Sequence, residues 1–279
     1  MPEVAIVTDS TADFVGPSPA SLGITVVPLT VNWGRDVLRD GVDISPEEFY
    51  LRLRTDLDIP KTAAPPLGIF EEVYRGLLAK HDAVISVHIS SKLSGTQSVA
   101  ATAARAVDAG RIHIVDSLHT SVTLGWLAQR AAEMAHAGET ADATLWVIQS
   151  MIPRLRIVVT LDTLEYLRRG GRIGRAQAFL GGLLNVKPVL HVEGGEVHPL
   201  ERVRTRAASL RRVAEIARGL GPLECLAVVH GDCENDAREL RHQVAAPEDS
   251  SSVPITELGS VLATHTGPGV IGVGCLIAS

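Results

Sequence analysis

Short apolar runs alternate with segments of helical periodicity along the first half of the chain. The runs cover residues 4–7, 83–89 and 112–115, and each ends in turn-forming residues, as strands do. Segments with helical spacing of apolar residues, or rich in alanine, cover residues 66–78, 94–109, 121–137 and 142–151. Repeated strand–helix units of this length predict a parallel sheet covered by helices.

Two local signals refine the region between the first two runs. Residues 24–31 are β-branched but contain Pro28, and we predict an edge strand because proline cannot donate to a central ladder. The sequence Ser45-Pro46-Glu47-Glu48 has the form of a capping box with proline at the first helical position. It predicts a helix that continues to about Leu53.

The second half has a different pattern. Residues 187–192 and 197–202 are apolar runs that flank Gly194 and Gly195, and this arrangement predicts a β-hairpin. Further strands are expected near residues 157–160, 226–230, 254–258 and 270–277, with helices near 205–220 and 235–244. The chain is therefore expected to be an α/β protein, with an N-terminal parallel-sheet α/β domain at residues 1–155 and a C-terminal α+β domain at residues 156–279.

Composition excludes several classes of function. Only 4% of the 279 residues are aromatic, which leaves few rings for stacking on nucleic-acid bases. No stretch approaches the roughly 18 apolar residues of a membrane span, and residues 1–7 lack the basic start and continuous apolar run of a signal peptide. Cys225, Cys233 and Cys275 lack C-x-x-C spacing and are expected to be free thiols. We expect a cytoplasmic protein without a nucleic-acid partner.

Charge is distributed unevenly. Residues 160–212 contain ten Lys/Arg and five Asp/Glu, which gives this basic segment a net charge of +5 and the remainder −11. A solvated helix face and a docking surface for an anionic partner explain the segment about equally well.

Hydroxyl-bearing loops follow the strand-like runs of the first half. In a parallel sheet such loops gather at the carboxyl ends of the strands, where ligands bind. Ser94, Gly95 and Thr96 lie where a helix is expected to begin, with free amides and the positive end of the helix dipole. Gly95 allows close approach to the backbone. Ser94 as a simple N-cap and Ser94 in an anion site both fit the sequence.

Catalytic and metal-binding motifs are weak by comparison. The chain has no G-x-S-x-G elbow, no G-x-x-x-x-G-K-[ST] loop and no H-E-x-x-H motif. Its ten histidines lack metal-ligand spacing, His113 and His191 are expected to be ordinary strand residues, and no metal or cofactor is expected. A serine-dependent acyl hydrolase would use Ser94 as the nucleophile, and His265 is the only good candidate for its general base. Three loop carboxylates are explained more simply as turn and cap residues than as acid–base pairs: Asp9, Asp13 and Asp116.

Seven segments, taken in order, resemble those of the DegV family across essentially the whole chain. They are residues 7–13 (VTDSTAD), 90–96 (SSKLSGT), 116–117 (DS), 161–173 (LDTLEYLRRGGRI), 187–188 (KP), 202–205 (RVRT) and 265–272 (HTGPGVIG). Each segment alone is weak, and their order and spacing make the match specific.

This resemblance implies both fold and biochemistry. It implies an α/β domain and an α+β domain that enclose a lipid, and family members bind a long-chain fatty acid. Some serve as the fatty-acid-binding subunit of a bacterial fatty acid kinase. Its separate ATP-binding subunit resembles a dihydroxyacetone kinase and phosphorylates the bound carboxylate. This chain would then be a lipid-binding protein without catalytic residues.

The resemblance also implies roles for individual positions. Thr62 and Ser94 would hydrogen-bond the carboxylate, Gly95 would contribute its amide, and His265 would lie near the head group. Two arginines of the basic segment match arginines near the head group or on the kinase-facing surface: Arg172 and Arg202.

The chain departs from the family pattern at two places. The usual Thr-Ser-Gln-Pro-Ser is here TAAPP at residues 62–66, which removes polar side chains beside the head group. Thr96 is followed directly by Gln97, without the tyrosine that the family commonly has between them. These changes are expected to alter head-group contacts or the preference for an acyl chain.

Overall fold

The structure is a computed structural model and describes residues 3–56, 58–180, 186–245 and 250–279. The strands in these ranges are β1 (Val4–Asp9), β2 (Ile24–Val27), β3 (Thr30–Trp33), β4 (Asp36–Arg39), β5 (Lys61–Ala63), β6 (Ala83–His88), β7 (Ile112–Asp116), β8 (Leu155–Thr160), β9 (Lys187–Glu193), β10 (Glu196–Val203), β11 (Leu223–His230), β12 (Ile255–Glu257) and β13 (Ile271–Ile277). The helices are α1 (Pro46–Thr55), α2 (Leu67–Leu78), α3 (Thr96–Val107), α4 (Ser121–His136), α5 (Ala141–Met151), α6 (Glu165–Arg169), α7 (Arg206–Arg218), α8 (Glu234–Val244) and α9 (Ser260–Thr266). Short 3-10 helices cover Ile152–Arg154, Gly174–Phe179 and Ser250–Ser252.

The predicted parallel sheet is confirmed, with strand order β2-β1-β6-β7. Helices α2 and α3 pack on one face against Ala5, Val7 and Val84. Helices α4 and α5 cover the other face, where Ile6 and Ile85 point. Alternate residues thus meet apolar neighbours on both sides, which explains why every residue of β1 is buried.

The second half forms a six-stranded sheet of order β10-β9-β8-β13-β11-β12. Its pairs are antiparallel except for the edge strand β12, which runs parallel to β11. The predicted β9–β10 hairpin is present, with Gly194 and Gly195 at its tip at φ values of 54° and 87°, a region that glycine adopts without strain. Helices α7 and α8 cover one face of this sheet. A mixed α/β fold with two kinds of sheet is therefore confirmed, whereas the division at residue 155 stays a prediction.

Helix α4 lies between the two sheets. It contacts β1 and β6 on one side and β8 and β13 on the other, and its first eight residues are all buried. Gly125 packs against the backbone of Asp13, and Gly274 of β13 packs against Val122. A side chain at either glycine would separate these layers. Among the described residues, no helix has the length and apolar character needed to cross a bilayer.

A small antiparallel sheet of order β4-β3-β5 lay outside the predictions. Residues 24–31 were expected to form one strand, but Pro28 divides them into β2, at the edge of the parallel sheet, and β3, in this small sheet. The single-strand prediction is wrong because proline cannot donate a ladder hydrogen bond. Helices α1 and α9 pack on the small sheet through Phe49 and Val261, which lie in one apolar cluster with Val31 and Trp33. A helix from the end of the chain thereby reaches a sheet near its beginning.

Two helix starts test the capping predictions. The box at α1 is confirmed, because the Ser45 hydroxyl accepts from Glu48 N and the Glu48 carboxylate accepts from Ser45 N. Helix α3 begins at Thr96 with Gly95 as its N-cap, one residue later than a start capped by Ser94. Ser94 is therefore not the N-cap of α3.

Candidate functional site

An apolar cavity lies beside the six-stranded sheet. Residues 157, 159 and 161 on and after β8 alternate along the strand and therefore face the same side, toward the cavity. The cavity is lined mainly by aliphatic side chains, namely Leu29, Ile89, Leu93, Ile157, Val159, Leu161, Leu167, Leu190, Val192, Val197, Val229, Leu258, Val261, Leu262 and Val270. Such a lining favours the hydrocarbon part of a ligand.

Eight polar residues also line this cavity: Thr62, Ser94, Thr120, Ser121, Arg172, His191, His265 and Thr266. Four of them are residues that the resemblance implied, and we call these four the polar cluster: Thr62, Ser94, Arg172 and His265. They come from β5, the loop before α3, the segment after α6, and α9. No two belong to the same element. The fold therefore brings together four of the six residues that the resemblance to the DegV family implied.

His265 contacts Thr62 and leaves one ring nitrogen free. Its Nε2 lies 2.7 Å from Thr62 Oγ1, and its Nδ1 is buried with no partner in the described residues. Burial, and secondarily the charge of Arg172, lower the pKa of His265 to about 4. The imidazole is thus neutral near pH 7 and can still exchange a hydrogen bond with a ligand.

The position of His265 is fixed at both ends of α9. At its start, Ser260 N donates to Asp40 Oδ1 at 2.9 Å, and Gly259 N donates to Asp13 Oδ1 at 3.2 Å. At its end, Gly267 has a φ of 73° and packs against the ring of Tyr166, where a side chain would collide. The HTGPG sequence therefore ends the helix in a conformation that glycine favours and packs it close to α6.

Arg172 links the two halves of the chain. Its Nε donates to Leu93 O at 2.9 Å and its Nη1 donates to Gly170 O at 2.8 Å. These bonds use two of the five guanidinium donors. A fixed positive charge with further donors at the cavity wall suits an anionic group.

Ser94 is oriented by Thr96, two residues further along the chain. Its Oγ lies 2.9 Å from Thr96 Oγ1 and accepts from Thr96 N at 3.3 Å. Gly95 is the N-cap of α3 but does not line the cavity. The hydroxyl of Ser94 thus lies at the start of a 12-residue helix, beside its positive end.

The polar cluster also borders a second, surface pocket. Thr62, Arg172 and His265 line both spaces, and the outer one adds Lys61, Tyr166 and Arg169. The remaining outer residues are Ile59, Pro60, Gly170 and Thr264, so its charged side chains are all basic. The polar end of the cavity therefore lies next to a positively charged surface.

Arg202 lies elsewhere. Its guanidinium is 4.5 Å from the centre of the Phe179 ring, and Nη2 donates to Ala178 O at 3.1 Å. It lines neither the cavity nor the outer pocket. Its implied place on a kinase-facing surface stays a prediction.

The other polar loops have structural roles. Asp9 accepts from Thr11 N, and Asp116 accepts from Leu118 N, as turn carboxylates do. Ser90 donates to Gly195 O at 2.8 Å and thereby anchors the hairpin tip.

Sequence reasoning missed three hydroxyl-bearing residues that line the cavity: Thr120, Ser121 and Thr266. Thr120 Oγ1 is buried without a partner in the described residues, and Ser121 donates to Asp13 Oδ2 at 2.7 Å from a backbone φ of 55°. The sequence signal that could have identified Thr120 and Ser121 was their position shortly after the Asp116-Ser117 turn.

The two residues of the hydrolase hypothesis, Ser94 and His265, have other polar partners. His265 Nε2 is occupied by Thr62, and the polar partner of Ser94 is Thr96. No hydrogen bond joins Ser94 to His265 in the part of the chain that the structure describes. A serine nucleophile would need a base in that position.

The fold and site together define a mixed α/β protein with an apolar cavity that ends in hydroxyls, a neutral histidine and a fixed arginine. The model of the family described as "Uncharacterised protein, DegV family" matches residues 3–278. The chain belongs to the DegV family.

Known proteins similar to this chain agree with that assignment. A DegV domain-containing protein of Streptomyces coelicolor is 39% identical over 278 residues, covering 97% of each chain. Protein DegV of Bacillus subtilis is 33% identical over 276 residues, covering 97% of this chain and 98% of its own. The similarity extends over nearly the full length.

Solved structures give the same result. A DegV family protein from Thermus thermophilus, described with its fatty acid binding, has a TM-score of 0.90 at 35% identity, covering 99% of this chain and 100% of its own. A stearic-acid-binding protein from Eubacterium ventriosum has a TM-score of 0.87 at 26% identity, covering 99% and 98%. Fatty acid binding is thus a property of several proteins that share this fold.

Proposed function

We propose that this protein binds one long-chain fatty acid, with its carboxylate at the polar cluster and its acyl chain in the apolar cavity. The observation that carries the proposal is the continuity of the two environments: one cavity is lined both by aliphatic side chains and by Thr62, Ser94, Arg172 and His265. A fatty acid has the same division into a hydrocarbon chain and an anionic end.

The acyl chain would supply most of the affinity. Each buried methylene contributes about 0.8 kcal/mol, and a chain with about 14 of them offers roughly 11 kcal/mol before ordering costs. The carboxylate would fix the orientation. It must keep its hydrogen bonds when it leaves water, and two hydroxyls with a guanidinium provide donors at short range.

We further propose that the bound carboxylate is presented to a separate kinase subunit for acyl-phosphate formation. A carboxylate oxygen would attack the γ-phosphorus of ATP, the bond to the bridging oxygen would break, and ADP would leave. The basic outer pocket supports this step, because Thr62, Arg172 and His265 line both the cavity and the surface. On this proposal the chain carries the substrate, and the kinase subunit supplies the nucleotide.

Lipid analysis tests the binding proposal. Protein purified from bacteria under native conditions should release fatty acid, at about one per chain, when extracted and measured by mass spectrometry. Ser94→Ala should bind fatty acid about tenfold more weakly, because a hydrogen bond to a charged group is lost. Ser98→Ala is the matched control, since Ser98 is an exposed serine in the first turn of the helix that follows Ser94.

Two outcomes would contradict it. Wild-type protein that is repeatedly lipid-free and does not take up added fatty acid would exclude a fatty-acid carrier. Hydrolysis of acyl esters that disappears in Ser94→Ala but persists in Ser98→Ala would instead support the hydrolase.

The presentation step has its own test. With the cognate kinase subunit, Arg202→Ala should slow acyl-phosphate formation about tenfold and leave fatty acid affinity nearly unchanged, because its charge lies outside the cavity. Arg211→Ala removes the same charge from an exposed position in the basic segment and should have little effect. Equal loss of binding and phosphorylation in Arg202→Ala would contradict a role in docking.

A further inference from the structure

The β9–β10 hairpin carries three metal-ligand side chains outside the polar cluster. His191 and His198 are directly opposite each other in the antiparallel register and therefore share a face. Glu193 follows His191 by two residues and points to the same side. The three ligand atoms lie within 4.8 Å of one another, and the described part of the chain contains no other such group of three.

The distances within this group are close to those between the ligands of a single metal ion. Glu193 Oε2 lies 3.9 Å from His191 Nε2 and 3.7 Å from His198 Nδ1, and both distances exceed a hydrogen bond. Nitrogen and oxygen ligands at about 2.0–2.2 Å from a tetrahedral Zn²⁺ stand roughly 3.3 Å apart. Each side chain would move inward by only a few tenths of an ångström to complete such a site.

The arrangement of the two imidazole rings leaves room for an ion between them. Their ring centres are 5.5 Å apart and the planes meet at 69°, so the rings meet edge to face. The side chains are 22% and 17% exposed, and that of Glu193 is 68% exposed, which leaves the group accessible from solvent. An ion could therefore enter without opening the core.

The other carboxylate at the hairpin tip already has charged partners and is therefore not counted as a metal ligand. Glu196, the remaining carboxylate at the hairpin tip, lies 3.4 Å from Lys92 and 3.6 Å from Arg175 and is engaged there. Three protein ligands with one open position result, as in exposed zinc sites.

We propose that His191, Glu193 and His198 bind a divalent transition metal ion of the zinc type, with water or a small anion in the fourth position. Two imidazoles favour Zn²⁺ and similar ions over Mg²⁺ and Ca²⁺, which prefer ligand sets made only of oxygen. The ion would cross-link β9 to β10 close to the tip that Ser90 anchors through Gly195. The same two strands line the cavity through His191 itself, Val192 and Val197.

Calorimetric titration of the chelator-treated full chain with Zn²⁺ alone tests the site. Wild type should bind one ion, and His198→Gln should weaken binding about tenfold or more. His242→Gln is the matched control, because it removes an exposed histidine from α8, and it should bind as wild type does. Mg²⁺ should give no saturable binding.

A second measurement separates binding from folding. Co²⁺ added to wild type should give the intense visible absorption of a four-coordinate ion, which the double variant His191→Gln/His198→Gln should lack. Circular dichroism without metal should be the same for all variants. Absence of saturable Zn²⁺ binding to wild type, or equal affinity in His198→Gln and His242→Gln, would overturn the proposal. Neither result depends on whether fatty acid binds.

Discussion

Two histidines in this protein, His88 and His265, both contact hydroxyl groups but differ in whether each ring nitrogen has a hydrogen-bond partner. His88 is wholly buried, with Nδ1 3.0 Å from Asp9 Oδ2 and Nε2 2.7 Å from Ser86 Oγ, and Tyr74 donates to the same serine. His265 has one hydroxyl partner, Thr62, and one ring nitrogen without a partner in the described residues.

This difference distinguishes a histidine with a structural role from one that is available to a ligand. The Asp9–His88–Ser86 row contains the residue types of a catalytic triad, yet each member is buried, and each histidine nitrogen already has a partner. His265 lines a cavity and retains hydrogen-bonding capacity. Residue types alone do not distinguish the two places; access and unsatisfied hydrogen bonds do.

The largest expected effect is on the closed network. Asp9→Ala leaves four donors without their acceptor, namely Thr11 N, Thr11 Oγ1, Ile89 N and His88 Nδ1. We expect a loss of about 3–5 kcal/mol in the free energy of unfolding, measured by chemical denaturation. His265→Ala removes one hydrogen bond and should cost about 1 kcal/mol. Similar losses in both variants would contradict the distinction.

Asp13 offers a test by pH, because burial outweighs its hydrogen bonds. Desolvation raises its pKa from 3.8 to about 7, although Ser121 and Gly259 donate to it. A carboxyl with a raised pKa binds its proton more tightly in the folded state. Its stabilising contribution is fully present below pH 3.8 and is lost as the pH rises to about 7. The loss amounts to at most about 4 kcal/mol.

The measurement compares wild type with Asp13→Asn. His265 and His119, with pKa values lowered to about 4 by burial, act in the opposite direction, because the folded state binds their protons less well. The difference between the two proteins isolates Asp13. Wild type should lose stability relative to Asp13→Asn between pH 4 and 7, and parallel curves would contradict the raised pKa.

The smallest expected effect on stability belongs to Thr62, where binding should respond instead. Thr62→Val removes the partner of His265 and a proposed donor to the carboxylate. Fatty acid affinity should fall about tenfold to a hundredfold, as for one hydrogen bond to a charged group. Thr62→Ser keeps the hydroxyl and should retain most of the affinity. A weak Thr62→Ser variant would show that the methyl group, not the hydroxyl, matters.

Local pattern was enough to predict much of the fold. The strands of the parallel sheet, the capping box of α1 and the β9–β10 hairpin follow from periodicity and turn residues within a few positions of each other. Short elements were missed: β5 has three residues and α9 has seven, too few for a period to show. Those two elements carry Thr62 and His265.

The sequence by itself determined the elements, the family resemblance and the residue types of the polar cluster. Tertiary structure alone decided which of them meet, because Thr62 and His265 are 203 residues apart and are joined by packing of α9 on the small sheet. Tertiary structure also buries Asp9 and His88 together in the core and places His191 opposite His198 in a strand pair. Periodicity reports the neighbours of a residue along one element, whereas hydrogen bonds and burial depend on which elements pack together.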